Sequence, residues 1–138
     1  MRVTGRTSHW VRVKPLTLAE KVEIGERCGQ FIADVLVPRF LPEIRPTEWN
    51  YPIALHGKWR GSKYSFIIRY RSGWEDNKGE EFDSPWLRFD HDEEHFAEPQ
   101  FHIFRMRHTG KWWPLHYSLP LDEALRLIES DGILQPHT

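Results

Sequence analysis

The chain has 138 residues and a formal net charge of -1, enough length for one core without staples and no overall pull toward nucleic acid or an acidic membrane. A single cysteine, Cys28, excludes an internal disulfide and points to a buried thiol in a reducing compartment. No apolar run approaches a signal-peptide core or a membrane span, so the expectation is one soluble cytoplasmic domain over residues 1–138.

The first eight residues carry no pattern and are expected to be mobile, and His9 to Val13 alternates weakly as a short strand would. Thr17 is a good N-cap with Glu20 three residues later, as in a capping box. From Leu18 through Val22, Cys28, Phe31, Ile32, Val35 and Leu36 the apolar residues share one side, so a helix is predicted from Thr17, ended by Pro38 and Pro42.

Trp49, Tyr51, Ile53 and Leu55 alternate with polar or small residues and predict a strand that tolerates Pro52 at an edge. After the Gly57 to Gly61 turn, Tyr64, Phe66, Ile68 and Tyr70 alternate with Ser65, Ile67, Arg69 and Arg71, a second strand with aromatics on one face and arginines on the other. Ser72 to Gly79 reads as a loop, and Trp86 to Asp90 as a short strand.

Phe101 to Tyr117 reads as a β-hairpin broken at Thr109-Gly110. A two-residue loop pairs His108 with Lys111 and places Met106 opposite Trp113, Phe104 opposite Leu115 and His102 opposite Tyr117 on the core face. The other face then carries Arg107 opposite Trp112, Arg105 opposite Pro114 and Ile103 opposite His116. In this register Trp113 is core and Trp112 lies over Arg107. Leu119 to Gly132 closes the chain as a helix with Pro120 in its first turn, Gly132 as its stop and Leu121, Ala124, Leu125 and Ile128 as its buried stripe. The predicted fold is α+β: an antiparallel meander of about four strands with an N-terminal and a C-terminal helix packed on one face.

Charge is unevenly spread along this order. His56 to Arg71 holds Lys58, Arg60, Lys63, Arg69 and Arg71 and no acid, whereas Trp74 to Glu98 holds ten acids against Lys78 and Arg88. One reading is a basic sheet face that binds an anionic partner through Arg69, Arg71, Arg105 and Arg107, with His116 beside them and Trp112 as a stacking platform. The other is that these arginines pair with the acidic segment folded over them. A second constellation is His91 and His95, one helical turn apart if the loop coils, which with Asp90 or Glu94 and His102 would hold a divalent metal. No recognised zinc or hydrolase spacing is present, and neither a Gly-x-Ser-x-Gly turn nor an exposed cysteine supports a nucleophile.

The amphipathic helix leading into Val37-Pro38-Arg39, the hairpin with Phe101 to Met106 and Gly110-Lys111-Trp112, and the closing Leu121 to Asp131 helix resemble a bacterial domain-of-unknown-function family, number 3024, over residues 17 to 132. That resemblance implies no established activity and carries over no catalytic residue. Arg88-Phe-Asp90-His91 and Phe101-His102 give a weaker resemblance to TumE-like toxins of toxin-antitoxin pairs, which implies a small toxin acting on a cellular target. The leading expectation is a non-enzymatic binding module without a cofactor, presenting its arginine and tryptophan face to nucleic acid or another anionic ligand. The alternatives are a metal-dependent hydrolase or nuclease-type toxin centred on Asp90, His91, His95 and His102, and a homo-oligomer that buries the same face.

Overall fold

Thr17 caps the first helix as its spacing to Glu20 predicts. The computed structural model describes residues 2–3 and 10–138, with side chains from residue 12 onward. In it the Glu20 N–H donates to the Thr17 hydroxyl at 3.0 Å and the Thr17 N–H donates to the Glu20 carboxylate at 2.9 Å. Ahead of that cap, β1 (Arg2–Val3) and β2 (Trp10–Val11) form a two-residue antiparallel ladder. The remainder of the segment expected to be mobile lies outside the described residues.

Helix α1 (Leu18–Phe31) runs into a π-helical turn over Ile32–Leu36 and then α2 (Val37–Phe40), so Pro38 does not end the helix as its sequence position suggested. The Val37 N–H reaches back to the Ile32 carbonyl. This wider i to i+5 turn accommodates a proline ring and its missing donor one residue later. Helical geometry stops at Leu41, directly before Pro42. The buried stripe is Ile24, Cys28, Ile32 and Leu36, one residue per turn, whereas Leu18 and Val22, assigned to that side from the sequence, are 78% and 53% exposed. Burial pushes the Cys28 thiol up to about 12, which leaves it an inert core group.

Five strands, one more than expected, form an antiparallel meander in chain order: β3 (Asn50–Arg60), β4 (Lys63–Ser72), β5 (Glu81–His91), β6 (Gln100–Met106) and β7 (Trp112–Pro120). Within the acidic stretch from Trp74 to Glu98, residues 81–91 form β5, longer than the Trp86 to Asp90 strand expected, because alternate acids at its start can each face a basic residue on the neighbouring strand. Glu81 stands opposite Arg71 and Asp83 opposite Arg69. Pro85 tolerates this inner strand for a local reason: β6 pairs with β5 only from Leu87 onward, so Pro85 has a neighbour on one side alone. A β-bulge at the same point leaves Trp86 without a partner on β4 and turns both Trp86 and Leu87 into the core.

Helix α3 (Leu121–Ser130) buries Leu121, Ala124, Leu125 and Ile128 as its spacing predicts. Both helices lie on one face of the sheet, over Tyr64, Phe66, Phe89, Phe101 and Ile103. The opposite face carries no helix among the described residues, and none of the described helices is long and apolar enough to cross a membrane.

The hairpin that carries Trp112 departs from the two-residue loop. Gly110 adopts φ 79°, its N–H donates to the Arg107 carbonyl, and the Arg107 N–H donates to the Lys111 carbonyl. That is a three-residue loop over His108, Thr109 and Gly110, a tight turn followed by a left-handed glycine. The extra residue moves the register by one near the turn, so Met106 stands opposite Trp112, Arg105 opposite Trp113 and Phe104 opposite Pro114. Two further register shifts restore the predicted Ile103–His116 pair and then bring Phe101 opposite Leu119.

Candidate functional site

The register decides which side chains share the open face. Side chains alternate along a strand, so with Leu87 and Phe89 buried beneath the helices, Arg88 and Asp90 emerge on the open face. Phe104 and Trp112 join them from β6 and β7. The Arg88 guanidinium lies 4.6 Å from the Trp112 ring centre and 4.9 Å from that of Phe104. Asp90 holds it in a two-pronged contact, Nε to Oδ1 at 2.6 Å and Nη2 to Oδ2 at 2.9 Å, with both side chains largely covered. The charge of Arg88 is therefore neutralised, and what the guanidinium does is fix Trp112 in place.

Beside this clamp, Lys58, Arg60, Lys63, Ser65, Ile67, Asp83 and Pro85 complete a concavity of about 390 Å³ with Arg88 and Trp112. Lys58 and Arg60 come from one face of β3, between Gly57, Trp59 and the turn, and Lys63 stands opposite Arg60 across the hairpin. Among the described residues none of these three cations forms a side-chain hydrogen bond or ion pair. The one acid on the rim, Asp83, is tied to Arg69 at 3.0 Å and to His56 at 3.2 Å. Those contacts, Arg69 first, hold its carboxyl below the usual carboxylate range.

The six residues singled out for binding are divided by the fold. Arg69 and Arg71 are on the open face but are paired, Arg71 to Glu81 at 2.9 Å, so the pairing of arginines with the acidic segment is the arrangement found there. Arg105 and Arg107 lie on the other side of the sheet from Trp112. Arg105 donates to the Trp86 carbonyl at 3.1 Å, and Arg107 lies 5.0 Å from the ring centre of Trp113. Trp113, expected in the core, is 53% exposed. His116 stands opposite Ile103 as expected, but Ile103 is fully buried rather than on an arginine face. Three residues missed by the selection are Lys58, Arg60 and Lys63. Their signal was in the sequence, as Lys-x-Arg with a half-buried tryptophan between, closed by a Gly-Ser turn.

The four metal candidates do not converge, and among the described residues no group of three or more His, Cys, Asp and Glu is arranged to hold a metal ion. Residues 91 to 95 do not coil into a helical turn: β5 ends at His91, and the His95 N–H closes a tight turn on the Asp92 carbonyl. Asp90 faces Arg88, while the adjacent His91 points to the other side, against Phe101. His102 belongs to a separate group. Its Nδ1 accepts from the Ser118 N–H at 3.1 Å, and the Ser118 hydroxyl donates to Asp92 at 2.6 Å. A serine, a histidine and an aspartate thus meet, but the hydroxyl is bonded to the carboxylate and the imidazole to the backbone, so the ring is not set to take the hydroxyl proton. What the group does instead is hold Ser118 at φ 52°, a left-handed conformation that costs a residue with a side chain and that falls in β7 where its register against β6 shifts between Ile103 and Phe101. Burial pushes the Asp92 carboxyl up, yet the Ser118 hydroxyl, the Glu94 N–H and the nearby His102 and His95 together hold it below its ordinary value.

His91 is buried, and its Nδ1 has no hydrogen-bond partner among the described residues. Burial lowers its pKa, against the opposing pull of Glu93, Asp92 and Glu20. A histidine depressed in the folded state binds its proton more readily when unfolded, so the stability it contributes is complete above about pH 6.5 and falls as pH drops below that value. Urea midpoints of the wild-type chain are therefore expected to fall between pH 7.5 and pH 5.5, and His91→Phe to flatten that interval. Loss of the depressed carboxylates Glu20, Asp83 and Asp92 begins only lower, where carboxylates titrate. An equal slope in the His91→Phe variant would assign the dependence elsewhere.

No curated protein and no solved structure matches the chain. One family model does, described as Domain of unknown function (DUF3024), over residues 16–136.

Proposed function

The chain belongs to the DUF3024 family, a domain family with no assigned activity, and we propose that within it this protein is a non-enzymatic binding module whose open sheet face takes an anionic partner, nucleic acid first. The observation that carries this reading is the gathering of Lys58, Arg60 and Lys63, uncommitted to any acid among the described residues, around one concavity walled by Trp112. Three cations that keep their charge attract phosphate. Arg69 and Arg71, already neutralised, contribute little. The net charge of -1 does not oppose this, because the one acid on the rim, Asp83, is already paired with Arg69 and His56. A buried thiol suits work in a reducing compartment such as the cytoplasm.

The test is retention on heparin and anisotropy of a labelled oligonucleotide for a Lys58→Ala, Arg60→Ala, Lys63→Ala triple variant against an Arg69→Ala, Arg71→Ala double variant. The triple variant is expected to lose binding and to flatten its salt dependence by roughly 0.7–0.9 in log–log slope for each phosphate contact removed. The double variant is expected to bind nearly as the wild type does. Unchanged retention of the triple variant would remove the proposal.

A further inference from the structure

The concavity has more character than a cation patch requires. Beside its cations, which stand toward the β3–β4 turn, it is lined by apolar Ile67 and Pro85, by the Trp112 ring, by Ser65 and by Asp83, whose charge is already paired. A volume of about 390 Å³ falls in the range of small-ligand pockets. An extended acidic peptide would need the cations and would gain little from a flat ring beside an apolar lining. A duplex presents phosphates but keeps the faces of its bases inside the stack. From this geometry we infer that the concavity seats one unpaired nucleotide of a single strand, its base against Trp112, Ile67 and Pro85 and its flanking phosphates on Lys58, Arg60 and Lys63. The inference rests on the anion-binding reading and narrows it to single-stranded nucleic acid.

The assignment gives Arg88 and Asp90 a defined role. A ring used as a stacking platform works best when its own motion is already restricted, since little ordering is then left for the moment of binding. The Arg88 guanidinium, fixed by Asp90 and lying against both Phe104 and Trp112, supplies that restriction. Arg88 is thus a positioning residue rather than a phosphate ligand. Base stacking on an aromatic side chain tolerates any base, so the site would read strandedness and not sequence.

The experiment compares a labelled twelve-residue oligothymidylate, a duplex of the same length and a polyglutamate peptide by anisotropy, using wild-type protein, Trp112→Leu, Trp112→Phe and the triple cation variant. Urea melts of each variant establish that it is folded. The wild type is expected to prefer the single strand, Trp112→Leu to weaken it about tenfold or more, and Trp112→Phe, which keeps a ring, to recover much of that loss. Duplex and peptide binding are expected to be weaker and indifferent to Trp112. If the triple variant loses the strand while Trp112→Leu keeps it, or if the duplex binds as tightly, the nucleotide seat is overturned and the anion face survives. If the wild type retains none of the three probes, or the triple variant binds them all unchanged, both fall together.

Discussion

Phe66→Ala is expected to destabilise the fold by about 3–5 kcal/mol, the cost of emptying a large ring from a closed core. Phe66 is fully buried, and its ring centre lies 4.9 Å from that of Phe89, 5.3 Å from Tyr64 and 5.9 Å from Trp86. It is therefore the middle of the aromatic cluster on which both helices rest, and the strands around it leave little room to collapse. Against the roughly 5–15 kcal/mol that holds a typical domain folded, such a loss is a large share of the stability. Urea denaturation reads it directly as a lower midpoint with an unchanged slope. A loss under about 1 kcal/mol would mean that the helices do not depend on this face of the sheet.

A comparable effect is expected for Trp86→Ala, for two reasons that a second variant separates. Trp86 fills core volume from the β5 bulge, and its indole N–H donates to the carbonyl of the fully buried Leu134 at 3.0 Å. This ties the short 3₁₀ turn after α3 to the sheet. Truncation to alanine removes both and is expected to cost about 3–5 kcal/mol. Trp86→Phe keeps most of the packing but leaves the carbonyl without its donor, at about 1–3 kcal/mol. Hydrogen exchange at Ile133 and Leu134 should rise in both variants, since both lose the tether. If only the alanine variant loosens that segment, packing rather than the hydrogen bond secures the C-terminal turn.

What could be read from the sequence follows from how local its causes are. The Thr17–Glu20 cap and the Leu121 to Ile128 stripe depend on spacings of three or four residues, and both are found as predicted. Tyr64, Phe66 and Ile68 alternate without interruption and are buried as predicted. The misreadings gather where the period breaks. Proline at 38 sits inside a helix because a π turn absorbs it, and the Trp86 bulge places two consecutive residues in the core, which no alternating pattern announces. Thr109-Gly110 is compatible with a two-residue or a three-residue loop, and choosing the shorter one moved Arg105 and Arg107 onto the face of Trp112. The candidate site suffered accordingly. Its chemistry was visible in composition and charge, but the loop length decided the place of Arg105 and Arg107, and the pairing of Arg69 and Arg71 with Asp83 and Glu81 decided which cations stay uncommitted.

Among the described residues the five-stranded meander has two unpaired borders, and each is interrupted. In β3 the chain passes through Pro52 and a register shift before Ala54, and in β7 through Pro114. A strand from another molecule seeking to extend the sheet needs an unbroken row of donors and acceptors, and along both borders it would meet a residue with no N–H to give. Lys58 and Arg60 on the outer strand add charge repulsion against a second copy aligned there. The same cations proposed to attract a partner on the open face thus also guard the chain against fibrillar accretion. A sheet with one face that carries no helix among the described residues has particular need of borders that do not recruit a second copy.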